Sequence, residues 1–187
     1  MDIGAGIVLL ILLSPLLLII MCLVKLDSKG PVFFLQKRLG YQGKIFRIIK
    51  FRTMVENAES IGTGIFTHRH DPRVTRAGRV LRNTSCDELP QLFNVLKGDM
   101  SFVGPRPPVP YHPHKYEEYS DEQKLRFTMP PGITGLAQVK GRNALSWEER
   151  IKYDVEYVKK FSFLFDLKIL FLTIGNVFKR KNVYKKG

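Results

Sequence analysis

Asp87 and Glu88 form an acidic pair directly before a short stretch in which apolar residues recur at helical spacing. This spacing predicts an amphipathic helix, and Gly98 suits the position just after a helix C-terminus. A carboxylate at the beginning of a helix is held ionised by the helix dipole. An ionised aspartate is a nucleophile or a metal ligand, but aspartate is also a common N-terminal cap. The local pattern therefore leaves both catalysis and capping open for Asp87.

The beginning of this helix has two alternatives. A cap at Ser85 would form a capping box with Glu88. It would also place Pro90 five residues in, where the missing N–H removes a helical hydrogen bond. A cap near Asp87 places Pro90 in the first turn, where no such bond is needed. We therefore predict that the helix begins near Asp87.

A second chemical group follows in a turn rich in proline. Residues 100–103 predict a short strand that leads into this turn, where Pro105 and Pro107 flank Arg106. Prolines on both sides hold the arginine backbone extended. A rigidly held guanidinium group suits bidentate binding of phosphate. The alternative is a rigid turn whose arginine only faces solvent.

Further basic residues are candidates for the same phosphates. Lys50 and Arg52 are two positions apart at the end of a predicted strand, so they share one face. That face is either a phosphate-binding surface or only the solvated side of the sheet. Arg82 lies five residues before Asp87 at the end of a short basic helix predicted over residues 78–83.

Two more candidates lie towards the C-terminus. Arg142 follows a glycine on a predicted turn, and Asp154 lies in a helix predicted from Ser146 to Phe161. The pattern around Asp154 suits a surface acid as well as a functional one.

Three separated blocks of the chain resemble the bacterial sugar transferases called monotopic phosphoglycosyl transferases. The blocks read KFRTM at residues 50–54, DELPQLFNVLKGDMSFVGPRP at 87–107 and PGITGLAQV at 131–139. The likeness extends over nearly the whole chain. It is closest to the small members, which consist of the membrane anchor and the catalytic domain alone.

The resemblance implies an enzyme that transfers a phosphosugar from a UDP-sugar to a polyprenol phosphate, such as undecaprenyl phosphate, and releases UMP. This would be the first membrane step in assembling a capsule, an exopolysaccharide, an O-antigen or a glycoprotein glycan. The family residue that matches Asp87 attacks the β-phosphate and carries the phosphosugar as a covalent intermediate. Glu88 matches the second acid, which binds or orients.

The predicted site combines the residue patterns with the family motifs. Its catalytic residues are Asp87 and Glu88. The predicted substrate-binding residues are Lys50, Arg52, Arg82, Pro105, Arg106, Pro107, Gln138, Arg142 and Asp154.

A divalent cation follows from the charges once such a substrate is granted. Two donor phosphates would approach two carboxylates, and unscreened like charges repel strongly. A cation bound to Asp87 and the diphosphate together removes this repulsion. The resemblance implies that the ion is Mg²⁺.

The composition limits the class of partner. A chain of 187 residues forms one compact domain with a substantial core, and a formal net charge of +13 requires an anionic partner. The sequence contains no glycine-rich phosphate loop and no RNA-binding signature. We therefore assign the charge to anionic membrane lipids and to the phosphates of donor and acceptor, with no nucleic acid. A homodimer stays open.

Cysteine and histidine chemistry is less well supported. Cys22 and Cys86 do not make a disulfide framework. Cys86 adjoins the acidic pair, but no histidine lies close in sequence to activate its thiol. The alternating histidines at residues 68–70 and 112–114 match no common zinc spacing.

The segment from Ile3 to Val24 is almost entirely apolar and long enough to cross a membrane. Pro15 removes a backbone donor in its middle, and the Ser14 hydroxyl is well placed to bond the freed carbonyl. A kinked spanning helix and a re-entrant helix that bends at Ser14 and Pro15 both fit this pattern. The resemblance implies the re-entrant form with both ends cytoplasmic, although the Lys-Arg pair usual at its start is absent here.

These patterns predict a small membrane-associated domain of mixed α/β (α+β) class. The resemblance implies that residues 1–26 are the re-entrant helix and residues 27–187 the catalytic domain. It also implies a monotopic protein on the cytoplasmic face of a bacterial inner membrane.

Within the catalytic domain, strands are predicted over residues 31–36 and 45–51, joined by a hairpin turn at 40–43. Residues 133–139 are predicted to be extended. Residues 161–178 are predicted to form an amphipathic helix in the membrane interface. Residues 56–74 have no clear period and are predicted to form a mobile loop.

Overall fold

The computed structural model describes residues 2–61, 64, 68, 71–141 and 144–178, without the side chain of Glu59. Several helices accompany two small two-stranded sheets, which confirms the predicted mixed class with an apolar N-terminal helix. The helices and strands in chain order are α1 (Asp2–Asp27), β1 (Phe33–Leu39), β2 (Ile45–Phe51), α2 (Arg76–Thr84), α3 (Gln91–Leu96), β3 (Ser101–Val103), α4 (Asp121–Lys124), β4 (Gly132–Thr134), α5 (Leu136–Lys140), α6 (Trp147–Lys159) and α7 (Phe163–Phe178).

Strands β1 and β2 form an antiparallel hairpin in which Phe33 pairs with Phe51 and Leu39 with Ile45. The prediction for β2 is confirmed. The predicted turn at residues 40–43 is also confirmed, but the first strand begins at Phe33 and ends at Leu39, later at both ends than predicted. Within the turn, Gln42 has φ 53°, in the left-handed region that closes the turn.

Strands β3 and β4 pair in parallel, with Ser101 opposite Gly132. The prediction that residues 133–139 are extended is wrong beyond Thr134, because helix α5 begins at Leu136.

Close backbone contacts hold the segment between β4 and α5 against Gly104, the residue after β3. A Cβ atom on Gly135 would lie 2.1 Å from the Gly104 carbonyl oxygen, and one on Gly132 would lie 2.1 Å from the Gly104 nitrogen. Only glycine permits backbones to approach so closely. The proline-rich turn that follows β3 is thereby held against the end of β4.

Helix α1 is apolar and is long enough to cross a membrane by length and composition. The Ser14 hydroxyl donates to the Ile11 carbonyl at 2.8 Å. This is the carbonyl that Pro15, four residues later, leaves without a helical donor, so the predicted hydrogen bond is confirmed.

One side of α1 packs against the rest of the protein. Leu17, Ile20 and Val24 are buried in a cluster with Phe51 of β2 and Leu81 of α2. Other apolar side chains of α1 are exposed, among them Ile11, Leu12, Leu18 and Ile19. The helix therefore docks through one face only.

The C-terminal helices close the other side of the molecule. Ser146 caps α6 through a reciprocal capping box with Glu149. Ile169 of α7 is fully buried against Tyr157 of α6. Leu164, Phe171 and Ile174 of α7 are exposed, so this helix also presents apolar side chains outward.

The described part of the 56–74 loop gathers around Arg73. This guanidinium forms an ion pair with Asp71 at 2.7 Å. It also donates to the carbonyls of Ala58, Ile61 and Gly64. Within the described residues, no three His, Cys, Asp or Glu side chains are grouped so that they could hold a metal; His70 lies outside those residues.

Candidate active site

The acidic pair lies in a single 3₁₀ turn, Cys86–Glu88, between α2 and α3. Helix α3 begins only at Gln91, with Pro90 as its cap, so the predicted start near Asp87 is wrong. The alternative capping box is not formed either, since neither turn nor helix has a side-chain cap hydrogen bond. Ser85, with φ 59°, ends α2 and redirects the chain into the turn. Asp87 is therefore not engaged as a cap.

Glu88 joins two basic side chains from distant segments. Its Oε1 atom accepts from the Lys50 Nζ atom at 2.7 Å and from the Arg106 Nη2 atom at 3.1 Å. Lys50 comes from β2 and Arg106 from the proline-rich turn after β3. The structure thus brings three predicted site residues together in one cluster.

The two carboxyl groups have opposite pKa shifts. For Glu88, burial acts to raise the pKa, but Lys50 and Arg106 outweigh it and hold the pKa well below its usual range. For Asp87, burial and the neighbouring Glu88 charge raise the pKa to about 6, against the pull of Lys50, Arg82 and Arg106.

The expectation that a helix dipole keeps Asp87 strongly ionised is therefore wrong, because Asp87 does not begin a helix. The ionised form of Asp87 is less stable here than that of an aspartate exposed to water. At neutral pH Asp87 is still mostly ionised, and the positive charge near it is largely engaged by Glu88. A carboxylate in this condition is suited to nucleophilic attack.

Of two other predicted basic residues, Arg82 lies near Asp87 and Arg52 does not share the surface of Lys50. Arg82 of α2 donates to the Thr53 hydroxyl at 2.9 Å and lies close enough to lower the pKa of Asp87. Arg52 lies beyond the end of β2 and is buried. Its guanidinium donates to the carbonyls of Val24, Ser28 and Lys29, at and beyond the end of α1.

Asp154 of α6 is neither a surface acid nor open to a substrate. Its side chain is 1% exposed and pairs with Arg126 at 2.5 Å. Burial, only partly offset by Arg126, raises its pKa. Arg126 was missed by the sequence argument; its one local signal is its position between the apolar residues Leu125 and Phe127.

Of the two remaining predicted residues, Gln138 lies within the described residues and Arg142 does not. Gln138 lies in α5 and is buried, with its side-chain oxygen close to Gly135. Its amide has no hydrogen-bond partner among the described residues. The roles assigned to both remain predictions.

The acidic pair also borders the apolar helix. Cys86 and Leu89, the residues on either side of the pair, pack into the cluster that contains Leu17 and Ile20 of α1. The Asp87 carboxylate therefore lies where a polar cluster meets an apolar surface.

A family model described as "Bacterial sugar transferase" matches residues 1–180 of the chain. The match spans nearly all of the sequence, including the acidic pair and the proline-rich turn. The chain belongs to the bacterial sugar transferase family.

Individual relatives agree with this assignment. A Klebsiella pneumoniae protein named UDP-glucose:undecaprenyl-phosphate glucose-1-phosphate transferase is 45% identical over 98% of this chain, which covers 40% of that protein. The protein EpsL of Bacillus subtilis, named a sugar transferase, is 47% identical, with 94% of this chain and 84% of EpsL covered. The exopolysaccharide production protein ExoY of Rhizobium meliloti is 40% identical, with 98% and 86% covered. The chain therefore spans well under half of the first relative and most of the other two.

Proposed function

We propose that this protein is a phosphoglycosyl transferase that moves a sugar 1-phosphate from a UDP-sugar to undecaprenyl phosphate, or a similar polyprenol phosphate, and releases UMP. Family membership and the substrates in the name of the Klebsiella relative support this assignment. The observation that carries it is the carboxylate of Asp87, with its raised pKa, beside a Glu88 bound by Lys50 and Arg106.

In the first step, an Asp87 carboxylate oxygen attacks the β-phosphorus of the donor. The bond from this phosphorus to the bridging oxygen breaks, and UMP leaves with that oxygen and its electron pair. In the second step, a phosphate oxygen of the polyprenol phosphate attacks the same phosphorus. The bond to the Asp87 oxygen breaks, which yields the polyprenyl diphosphosugar and restores the carboxylate.

The basic residues neutralise the phosphates in this scheme. Lys50 and Arg106 form ion pairs with Glu88 and would bind the phosphoryl oxygens of the donor. Arg82 lies close to Asp87 and would add to this positive charge. Glu88 orients both cations. The donor set fits Mg²⁺, which is usually held by one or two carboxylates together with substrate phosphates. Asp87 would hold the ion, which would neutralise diphosphate charge when bound.

We also propose that the protein is monotopic, with residues 1–26 as its membrane anchor, residues 27–187 on the cytoplasmic face and anionic lipids around it. Both ends of α1 contact the rest of the protein: Asp2 accepts from the Ser101 hydroxyl, and Asp27 accepts from the Ala77 amide at 2.9 Å. A helix of 26 residues is about 39 Å long. Because both ends contact the protein, a helix that lies along the protein within one leaflet is favoured over a helix that extends away from the protein across the membrane.

The test is a screen for UMP release from a set of UDP-sugars with undecaprenyl phosphate, with and without Mg²⁺. Incubation with donor alone should add the mass of one phosphosugar to the protein. The Asp87→Asn variant should gain no such mass and lose at least about 10³-fold in turnover while remaining folded. Near-normal turnover by this variant would remove Asp87 as the nucleophile.

A further inference from the structure

The proline-rich turn that carries Arg106 is held almost entirely by its carbonyl groups. Residues 105–108 include three prolines, so Arg106 has the one backbone N–H of the segment. All four carbonyls accept hydrogen bonds. The donors are the Gly132 amide to Pro105 at 3.0 Å, the Arg126 guanidinium to Arg106 at 2.9 Å, the Arg38 guanidinium to Pro107 at 3.0 Å and the Leu39 amide to Pro108 at 2.9 Å.

The bond to the Arg106 carbonyl comes from a fully buried charge. The Arg126 side chain is 1% exposed, and its Nη2 atom also pairs with Asp154 at 2.5 Å. Its guanidinium lies 5.3 Å from the ring centre of Phe127 and 5.9 Å from that of Tyr119. The guanidinium is therefore enclosed by two aromatic rings and a carboxylate, and its Nη2 atom makes the hydrogen bonds to both Asp154 and the Arg106 carbonyl.

A buried ion pair of this kind is weak support for stability, because removing both charges from water offsets their attraction. It does define geometry. Here the geometry is transmitted over one residue: Arg126 holds the backbone of Arg106, whose side chain donates to Glu88. A displacement of a binding group by about 1 Å is enough to lose much of its effect.

We propose that Arg126, oriented by Asp154, is a positioning residue that sets where the Arg106 guanidinium meets the diphosphate of the donor. The proposal rests on the proposed function for the identity of that ligand. It replaces the predicted role of Asp154 in binding substrate directly with an indirect one through two arginines.

The test is a double-mutant cycle in the full chain, with UDP and Mg²⁺ as the ligand because UDP carries the diphosphate and requires no turnover. Arg126→Lys keeps the charge but ends in a nitrogen that reaches less far, so it does not coincide with the Nη2 atom that bonds both Asp154 and the Arg106 carbonyl. We expect it to weaken UDP binding about tenfold, and by less than about twofold when Arg106→Ala is already present. A role in general stability would give the same loss in both backgrounds and would overturn the proposal.

Arg73→Lys is the matched control. Arg73 and Asp71 also form a buried ion pair, and Arg73 also holds loop carbonyls, but these belong to the 56–74 loop. Any effect of Arg73→Lys on UDP binding should be the same with and without Arg106→Ala. If Arg126→Lys does not fold, Asp154→Asn keeps the shape and an acceptor for Arg126, and its milder loss should likewise vanish in the Arg106→Ala background.

The cycle separates the two proposals. Suppose that the wild type releases UMP but Arg126→Lys weakens UDP binding equally with and without Arg106→Ala. This result overturns the positioning role and leaves the proposed function standing. Coupled losses in UDP binding without UMP release from any donor overturn the proposed function and leave the positioning role standing. A wild type that does not bind UDP overturns both.

Discussion

Asp87 and Glu88 are adjacent and chemically alike, yet the structure gives them different electrostatic environments. In the described part of the chain, both ion pairs of this cluster go to Glu88. Glu88 is thereby kept ionised and fixed. Asp87 is buried as well, and repulsion by the Glu88 charge further raises its pKa. A fixed carboxylate next to a less stabilised one is a common arrangement where one acid must react and the other must organise.

The first prediction concerns the pH dependence of kcat/KM. In the proposed reaction the Asp87 carboxylate is the nucleophile, so activity should fall as the pH drops through about 6, to which burial and the Glu88 charge raise its pKa. Glu88→Gln removes a charge that raises this pKa, so the acid limb of its residual activity should shift to lower pH. A limb that stays in place, or moves to higher pH, would contradict the assignment.

A second prediction follows for stability. Because the folded-state pKa of Asp87 lies above its ordinary 3.8, ionisation costs folding free energy, and this cost develops as the pH rises through about 4 to 6. In metal-free buffer at pH 8, Asp87→Asn should raise Tm by a few degrees, on the order of 5 °C, and the gain should disappear at pH 4 and below.

Asp71→Asn is the control of opposite sign. Its hydrogen bond from Arg73 lowers the pKa of Asp71 to about 2, so its charge stabilises the fold above its ordinary pKa of 3.8. This stabilisation is lost as the pH falls through about 2, and Asp71→Asn should lower Tm at neutral pH. Effects of the same sign for the two substitutions would mean that at least one of the two shifts is not as described.

At the scale of elements, the site is assembled where several short segments meet. The turn between α2 and α3 supplies the acids, β2 supplies Lys50, and the proline-rich turn after β3 supplies Arg106. Helix α1 borders this assembly through the apolar cluster that also includes Cys86 and Leu89. Arg52, directly after the strand that carries Lys50, bonds carbonyls at and beyond the C-terminal end of α1 and so connects that helix to the strand.

A third prediction concerns the docking of α1. A Cβ atom on Gly6 would already lie 3.0 Å from Leu96 of α3, whereas one on Gly4 would meet nothing within 4 Å. Gly6→Leu should therefore separate the two helices and cost about 1–3 kcal/mol, and lower the rate of UMP release. Gly4→Leu adds the same side chain to the same helix and should change Tm, measured in detergent micelles, by little. Equal losses in both variants would show that this contact is unimportant.

At the scale of the whole molecule, α1 and α7 both leave apolar side chains exposed, and the chain carries a net charge of +13. Apolar faces and positive charge together suit a surface that binds an anionic leaflet. Under the proposed function, a soluble donor and a lipid acceptor would use one carboxylate in turn, because Asp87 lies where the polar cluster borders α1.

The fourth prediction is the topology of the anchor. In a background with Cys22→Ser and Cys86→Ser, single cysteines at Asp2→Cys and Lys29→Cys would mark the two sides of α1. A membrane-impermeant maleimide should modify neither in intact spheroplasts and both after lysis. Modification of Asp2→Cys from outside intact spheroplasts would instead establish a spanning helix.

Local patterns determined a large part of this protein. The hydrogen bond from Ser14 to Ile11, the second strand of the hairpin and the capped helix α6 all depend on residues a few positions apart. The acidic pair and the proline-flanked arginine were also singled out by residue type and spacing, although only the family resemblance implied a catalytic site there. Such features need only spacing along the chain, which a sequence displays directly.

Only the tertiary structure decided which charges meet and how strongly they are desolvated. Lys50 and Arg106 lie 38 and 18 residues from Glu88, while Arg52 turns away to α1 and Asp154 is buried with Arg126. The direction of the Asp87 pKa shift depends on those same distances and on burial. Electrostatic energies vary with separation and surroundings in space, and neither quantity is contained in the order of residues.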